Sequence, residues 1–227
     1  MKHKYKHIDY LFALTESLKN DYTNFLKANK HTKILVVPNI LKPTNNIHSD
    51  LNNKNIISIS RLHKGKKIDE LINIFSQLKD KDTKLYIIGD GEEKENLKNL
   101  VLDLNLQDRV IMTGYLNKDE QLEYLKNSSV YAMTSISEGL PMVLLEAMSF
   151  GIPCIAYKTD SGVADIIENN KNGFVIENRN INEYIEKLNL LLTDVKLKEN
   201  MSKECIKTCK KYSENEIIKI WENVFKN

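Results

Sequence analysis

From residue 56 to residue 176 the chain alternates short apolar runs with amphipathic helical periods, and this alternation restricts the fold more than any other feature. Strands are expected at 56–60, 84–88, 110–112, 130–133, 154–156 and 174–176. The helical spacing of apolar residues places helices at 67–78, 92–105, 118–127, 141–150 and 162–169. Apolar strands separated by helices form a parallel sheet covered on both faces. Ligands of such α/β sheets sit at the carboxyl ends of the strands. A strand at 9–14, a helix at 16–28 with Thr15 as its N-cap, and a strand at 33–37 come first. Three helical stretches follow, at 181–192, 196–212 and 214–225. Residues 38–53 are polar and Asn-rich with two prolines, which marks a linker.

Composition removes several function classes. The 227 residues are 41% hydrophobic and 28% charged, a globular balance. No apolar run is long enough to span a bilayer, and the basic start MKHKYKHIDY lacks the apolar core of a secretory signal. A cytoplasmic protein is expected, with a peripheral position at the inner membrane face left open. A net charge of +2 is too small to argue for nucleic acid. Cys154 falls in a strand, and Cys205 and Cys209 lie one helical turn apart with no histidine near them. None has a recognised zinc spacing, so all three are expected to be structural. Arginine is scarce: only Arg61, Arg109 and Arg179 occur. Guanidinium forks match phosphate oxygens better than ammonium groups do, so each of the three draws attention.

The expected carboxyl edge collects cations, glycines and carboxylates. Arg61 with Lys64, Lys66 and Lys67 follows the first strand of the alternating region, and Gly89-Asp90-Gly91 follows the second. Gly114 and Tyr115 follow the third, and Ser135, Ser137 and Glu138 the fourth. The two glycines at 89 and 91 serve either a tight turn or a close ligand approach. They lack the third glycine of a dinucleotide fingerprint, which disfavours an NAD site. The three lysines at 64–67, at a helix start, oppose the helix dipole and suggest an anionic partner, although a solvated helix start is the plainer alternative. Within 130–157, Pro141 suits a first helical turn. The N–H groups of Leu140, Met142 and Val143 would then form an anion site. Glu146 lies eight positions after Glu138. Two glutamates at that spacing also arise by chance on a solvated helix.

The segments SRLHKGKKIDELINIF, LYIIGDGEEKENL, VIMTGYL, SEGLPMVLLEAMSFGIPCIAY and GVADIIENNKNGFVI resemble the C-terminal, donor-binding half of a family-4 retaining glycosyltransferase of the GT-B fold. They cover residues 56–177 in order. The resemblance implies a Rossmann-like parallel sheet with helices on both faces. It divides the chain into a remnant of an N-terminal acceptor domain (1–37), a linker (38–53), a nucleotide-sugar donor domain (54–212) and a crossover helix (213–227). Arg61 and Lys66 correspond to the basic pair on the donor diphosphate. Glu138 matches the first glutamate of an E-x7-E motif, near the donor sugar, and Glu146 the second, on the ribose. Gly139, Leu140, Pro141, Met142 and Val143 match the backbone cradle for diphosphate and sugar. Gly114, Tyr115 and Leu116 match the segment that reads the base, and Gly89 lies at the same edge. Lys67 stands where the family usually has glycine, which leaves Lys64 and Lys66 both as candidates for the diphosphate contact.

The implied reaction transfers a hexose or N-acetylhexosamine, with retention, from a nucleotide diphosphate sugar, expected to be UDP-linked. The implied acceptor is a glycan, a lipid-linked species or a polyol phosphate. Glu138, Arg61 and Lys66 would act at the reacting centre. Lysine, arginine and a helix end can neutralise the leaving diphosphate, so no cofactor and no metal are expected. A partner chain or self-association is expected over the acceptor side. The alternatives are a non-catalytic nucleotide-sugar-binding module that needs a partner chain, and a sugar-phosphate epimerase of related architecture.

Overall fold

The computed structural model describes residues 8–26, 31–43 and 47–226. Its main body is a six-stranded, all-parallel sheet of β3 (Ile56–Ile59), β4 (Leu85–Ile88), β5 (Val110–Gly114), β6 (Val130–Met133), β7 (Cys154–Tyr157) and β8 (Gly173–Ile176). The spatial order is β5-β4-β3-β6-β7-β8. Counted from β3 this is the doubly wound order, and the winding reverses between β3 and β6. The parallel sheet expected from the alternation, and the Rossmann-like form that the resemblance implies, are present.

Period-2 alternation assigns each strand residue to one of two cores. Ile56, Leu85, Ile87, Val130, Ala132 and Ile155 face α2 (Ile68–Ser76), α3 (Lys94–Asp103) and α7 (Ile181–Thr193). Ile57, Ile59, Ile88, Tyr131, Met133 and Cys154 face α4 (Lys118–Lys126), α5 (Met142–Ser149), α6 (Val163–Ile166) and α8 (Val195–Lys210). Every residue of β3, β6, β7 and β8 is buried, as parallel strands covered twice must be. All three cysteines are buried free thiols in this interior, and burial pushes their pKa values up.

A smaller unit precedes the sheet. β1 (Tyr10–Ala13), α1 (Glu16–Phe25) and β2 (Lys33–Val36) form a β-α-β unit with two parallel strands. Thr15 caps α1 through its hydroxyl, as expected. The helix expected to run to residue 28 is seen to Phe25, and 27–30 lie outside the described residues. α9 (Glu214–Lys226) returns to this unit, where Trp221 packs on Phe12 at 4.8 Å between ring centroids. The segment after Val37 is tied to the main body: Leu41 N–H donates to Tyr212 O (2.8 Å) and Ser49 N–H to Phe150 O (2.9 Å).

Most element ends differ from expectation by one or two residues, and two of the differences have a local cause. β5 continues to Gly114 because a register shift after Ile87 passes over Thr113 and pairs Ile88 with Gly114. The helix expected at 162–169 keeps only Val163–Ile166. Asn172 takes its place, accepting from Glu168 N–H (2.9 Å) and donating to Ile166 O (3.1 Å). Such side-chain bonds give the backbone an alternative to the next helical turn.

Candidate functional site

β3 and β6 diverge at the point where the winding reverses, and their exits wall a cavity of about 270 Å³. Arg61 enters it from the β3 side, Glu138 from the loop after β6, Lys66 from the turn before α2 and Val143 from α5. Tyr131 lies at its floor, its hydroxyl accepting from Ile59 N–H (3.1 Å) and donating to Ile59 O (3.0 Å). Burial pushes that phenol well above its usual range, so it stays a neutral structural group.

The lysine turn is locally determined. His63 Nδ1 accepts from Gly65 N–H at 3.1 Å and starts a 3-10 turn over Lys64–Lys66. Lys67 then adopts a left-handed backbone (φ 53°) and leads into α2 without a side-chain cap. This geometry separates the cations. Lys66 Nζ reaches Glu138 Oε1 at 2.6 Å, whereas Lys64 and Lys67 line a different cleft with His63 and Glu93. The Lys66 and Glu138 side chains are 22% and 11% exposed, so the pair is mostly desolvated yet still open to a ligand. Arg61 is far more open, 3.8 Å from Glu92.

Hydrogen bonds to main-chain carbonyls hold the two loops together. Thr134 Oγ1 donates to the carbonyls of Lys67 (2.7 Å) and Lys66 (3.1 Å), and Ile136 N–H donates to Gly65 O (2.9 Å). Ser161 Oγ donates to Glu138 O at 2.9 Å from the β7 side. Glycine is obligatory at two close approaches. A Cβ on Gly89 (φ 143°) would strike Ser60 O, and one on Gly162 (φ 85°) would strike Gly139 O and Pro141. Of the alternatives at Gly89, backbone packing between the β3 and β4 exits is therefore sufficient to require glycine.

Pro141 is the N-cap of α5 rather than its first helical residue, and no side chain caps the helix. Its leading N–H groups and dipole therefore face the loop of residues 138–141, with Leu140 buried and Gly139 exposed. The first turn divides two cavities. Val143 walls the one that holds Glu138, while Met142 and Glu146 wall another of about 470 Å³ with Ile40, Leu41 and Leu122. Glu146 pairs with Lys118 Nζ at 2.7 Å. At the β5 exit, Gly114 O accepts from Gly89 N–H (2.8 Å) and Leu116 O from Gln121 Nε2 (2.8 Å). Tyr115, between them, is 77% exposed. On the neighbouring β4 exit, the Lys94 ammonium holds the Asp90 carboxyl below its usual range. Among the described residues no group of three His, Cys, Asp or Glu side chains is placed to hold a metal ion.

Sequence reasoning had passed over Lys118, Thr134 and Ser161. Arg179 stood out by rarity but had no role. Only the hydroxyls at the strand ends gave any signal for Thr134 and Ser161, and Lys118 gave none. The arrangement presents ammonium and guanidinium groups with an open helix N-terminus between two acceptor-only carboxylates. It suits a ligand with anionic charge in the middle and hydroxyls on either side.

Known proteins share this frame. Residues 42–208 match the family described as glycosyl transferases group 1. An uncharacterised glycosyltransferase of Haemophilus influenzae is 35% identical over 95% of this chain and 61% of its own length. The poly(ribitol-phosphate) alpha-N-acetylglucosaminyltransferase of Staphylococcus aureus is 32% identical over 96% of this chain and 44% of its own. A crystal structure of an S. aureus TarM mutant with fondaparinux, alpha-GlcNAc-glycerol and UDP superposes with a TM-score of 0.87 at 28% identity. It covers all of this chain and 45% of that one. The chain thus spans roughly half of the proteins it matches. It belongs to the group 1 glycosyl transferases, of the GT-B type.

Proposed function

We propose that the chain is the donor-binding part of a retaining glycosyltransferase of family 4. It would move a hexose or N-acetylhexosamine from a UDP-linked sugar to a glycan, a lipid-linked species or a polyol phosphate. The observation that carries this is the Lys66–Glu138 pair against the uncapped N-terminus of α5, with Glu146 on the far side of the same helix turn. The UDP named with the S. aureus TarM structure and the poly(ribitol-phosphate) acceptor named for the S. aureus relative support the donor and acceptor classes.

In this proposal the diphosphate lies at the α5 N-terminus. Lys66, Arg61 and the helix N–H groups offset the charge that develops on it as the glycosidic bond breaks, in place of a divalent metal. Glu138 faces the sugar and stabilises positive charge at the anomeric carbon. Glu146 accepts from the ribose hydroxyls, with the base near Gly114, Tyr115 and Leu116. Attack from the face of the departing diphosphate gives retention.

Calorimetric titration with UDP, GDP and their sugars, paired with a transfer assay on a polyol-phosphate acceptor, tests the roles. Glu146→Ala should weaken nucleotide binding about tenfold. Glu138→Ala should bind nearly as wild type and lose transfer by roughly 100-fold or more. If both variants bound and reacted like wild type, the assignment would be wrong. Binding without transfer by the wild-type chain would leave it a donor-binding module.

A further inference from the structure

Arg179 holds the start of the Glu138 loop and is not among the residues that line the cleft. It ends a 3-10 turn after β8, and both Asn178 (φ 50°) and Arg179 (φ 51°) hold left-handed backbone angles that residues with a Cβ avoid. That backbone aims the guanidinium inward. Nη2 donates to Thr134 O at 3.0 Å and Nη1 to Ser135 O at 3.3 Å. Nη2 also pairs with Glu70 of α2, and the guanidinium carbon lies 4.3 Å from the centroid of the buried Tyr157 ring.

The two carbonyls belong to the first residues past β6, where the strand ladder has ended and the loop to Glu138 begins. Thr134 also binds the carbonyls of Lys66 and Lys67, so a fork on Thr134 and Ser135 steadies both sides of the Lys66–Glu138 pair. Arg109 provides an internal comparison. Its guanidinium makes the same kind of fork, to Asp80 O (2.7 Å) and Thr83 O (3.3 Å), over the Phe75 ring at 4.6 Å. It does so beside the amino ends of β4 and β5, away from the cleft. One arginine fork closes the amino edge of the sheet; the other holds two residues that line the site.

We infer that Arg179 is a positioning residue of the donor site, fixing the loop that carries Glu138 and, through Thr134, the turn that carries Lys66. This rests on the donor-site proposal above. A planar fork reaches two carbonyls at once, which an ammonium does not reproduce. Loss of the fork should therefore be felt by the sugar-diphosphate part of a donor and not by the nucleoside part held on the Glu146 side.

The test compares Arg179→Lys with Arg109→Lys by titration with UDP-N-acetylglucosamine and with UMP, or the guanosine pair if wild type prefers it. Arg179→Lys should weaken the sugar-nucleotide about tenfold, equivalent to ~1.4 kcal/mol, while nucleoside monophosphate affinity stays within about twofold. Arg109→Lys should leave the ratio of the two affinities unchanged. If Arg179→Lys does not fold, Glu70→Gln keeps the fork but removes its charged partner, and should shift the ratio in the same direction by about threefold. An unchanged ratio in the folded variant, or an equal shift in Arg109→Lys, overturns the inference. Wild-type protein that binds no nucleotide overturns the donor-site proposal and the inference with it. That failure is distinguishable because it shows before any variant is made.

Discussion

Each site glutamate has a lysine partner, Lys66 for Glu138 and Lys118 for Glu146. A carboxylate held by an ammonium is oriented before a ligand arrives. A third lysine behaves differently. Lys198 of α8 is 1% exposed; its Nζ donates to the Asn53 carbonyl at 3.3 Å, with the Asp50 carboxylate attracting it more weakly than burial penalises it. Desolvation lowers its pKa below the usual 10.5. The folded state therefore binds fewer protons than the unfolded chain between that lowered value and 10.5, and stability rises with pH across the window. Lys198→Met should stabilise the chain by roughly 1 kcal/mol at pH 7 and flatten that rise, measured by urea unfolding across alkaline pH. Legibility at this scale is uneven. Glu138 and Glu146 were visible because a motif spaces them along one chain segment, and Lys66 because it sits in the lysine cluster after β3. Lys118 was not, and Arg179 stood out only by rarity, because their partners lie on other elements and meet them only through packing.

Helix α5 shows what an element contributes beyond its residues. Its N-terminus is left uncapped by any side chain, and the loop before it is fixed by the turn at Gly162. Asp165 caps that turn through Gly162 N–H (3.0 Å) and also accepts from Ser17 at the start of α1. Gly162→Ala should cost about 2–4 kcal/mol, from a strained positive φ plus a Cβ driven into Gly139 and Pro141. Thermal unfolding would measure that cost, and weaker nucleotide binding should accompany it because the displaced segment is the 138–141 loop. Helix and strand positions were legible from periodicity, yet the short α6 was not. Asn172, on the far side of the expected helix, competes for its backbone. The left-handed Lys67 was foreshadowed only as a lysine where resembling proteins have glycine, a position that glycine fills without strain.

At the scale of the whole molecule, the order of the six strands decides where ligand can bind. Alternation along the sequence established a parallel sheet, but only the fold locates the reversal between β3 and β6, where Arg61, Lys66 and Glu138 meet. The small β-α-β unit joins this body through Ser17 and Asp165 and through Phe12 and Trp221. That second contact has exposed apolar rims at Phe12 and Phe225. The central claim is that donor binds across the α5 N-terminus and not on this second face. Amide chemical-shift mapping during titration with UDP-N-acetylglucosamine or GDP-mannose tests it most directly. Saturable shifts concentrated at residues 60–66, 114–116 and 134–146 are the predicted result. Shifts concentrated around Tyr10, Phe12 and Trp221, or none with either nucleotide sugar, would contradict it.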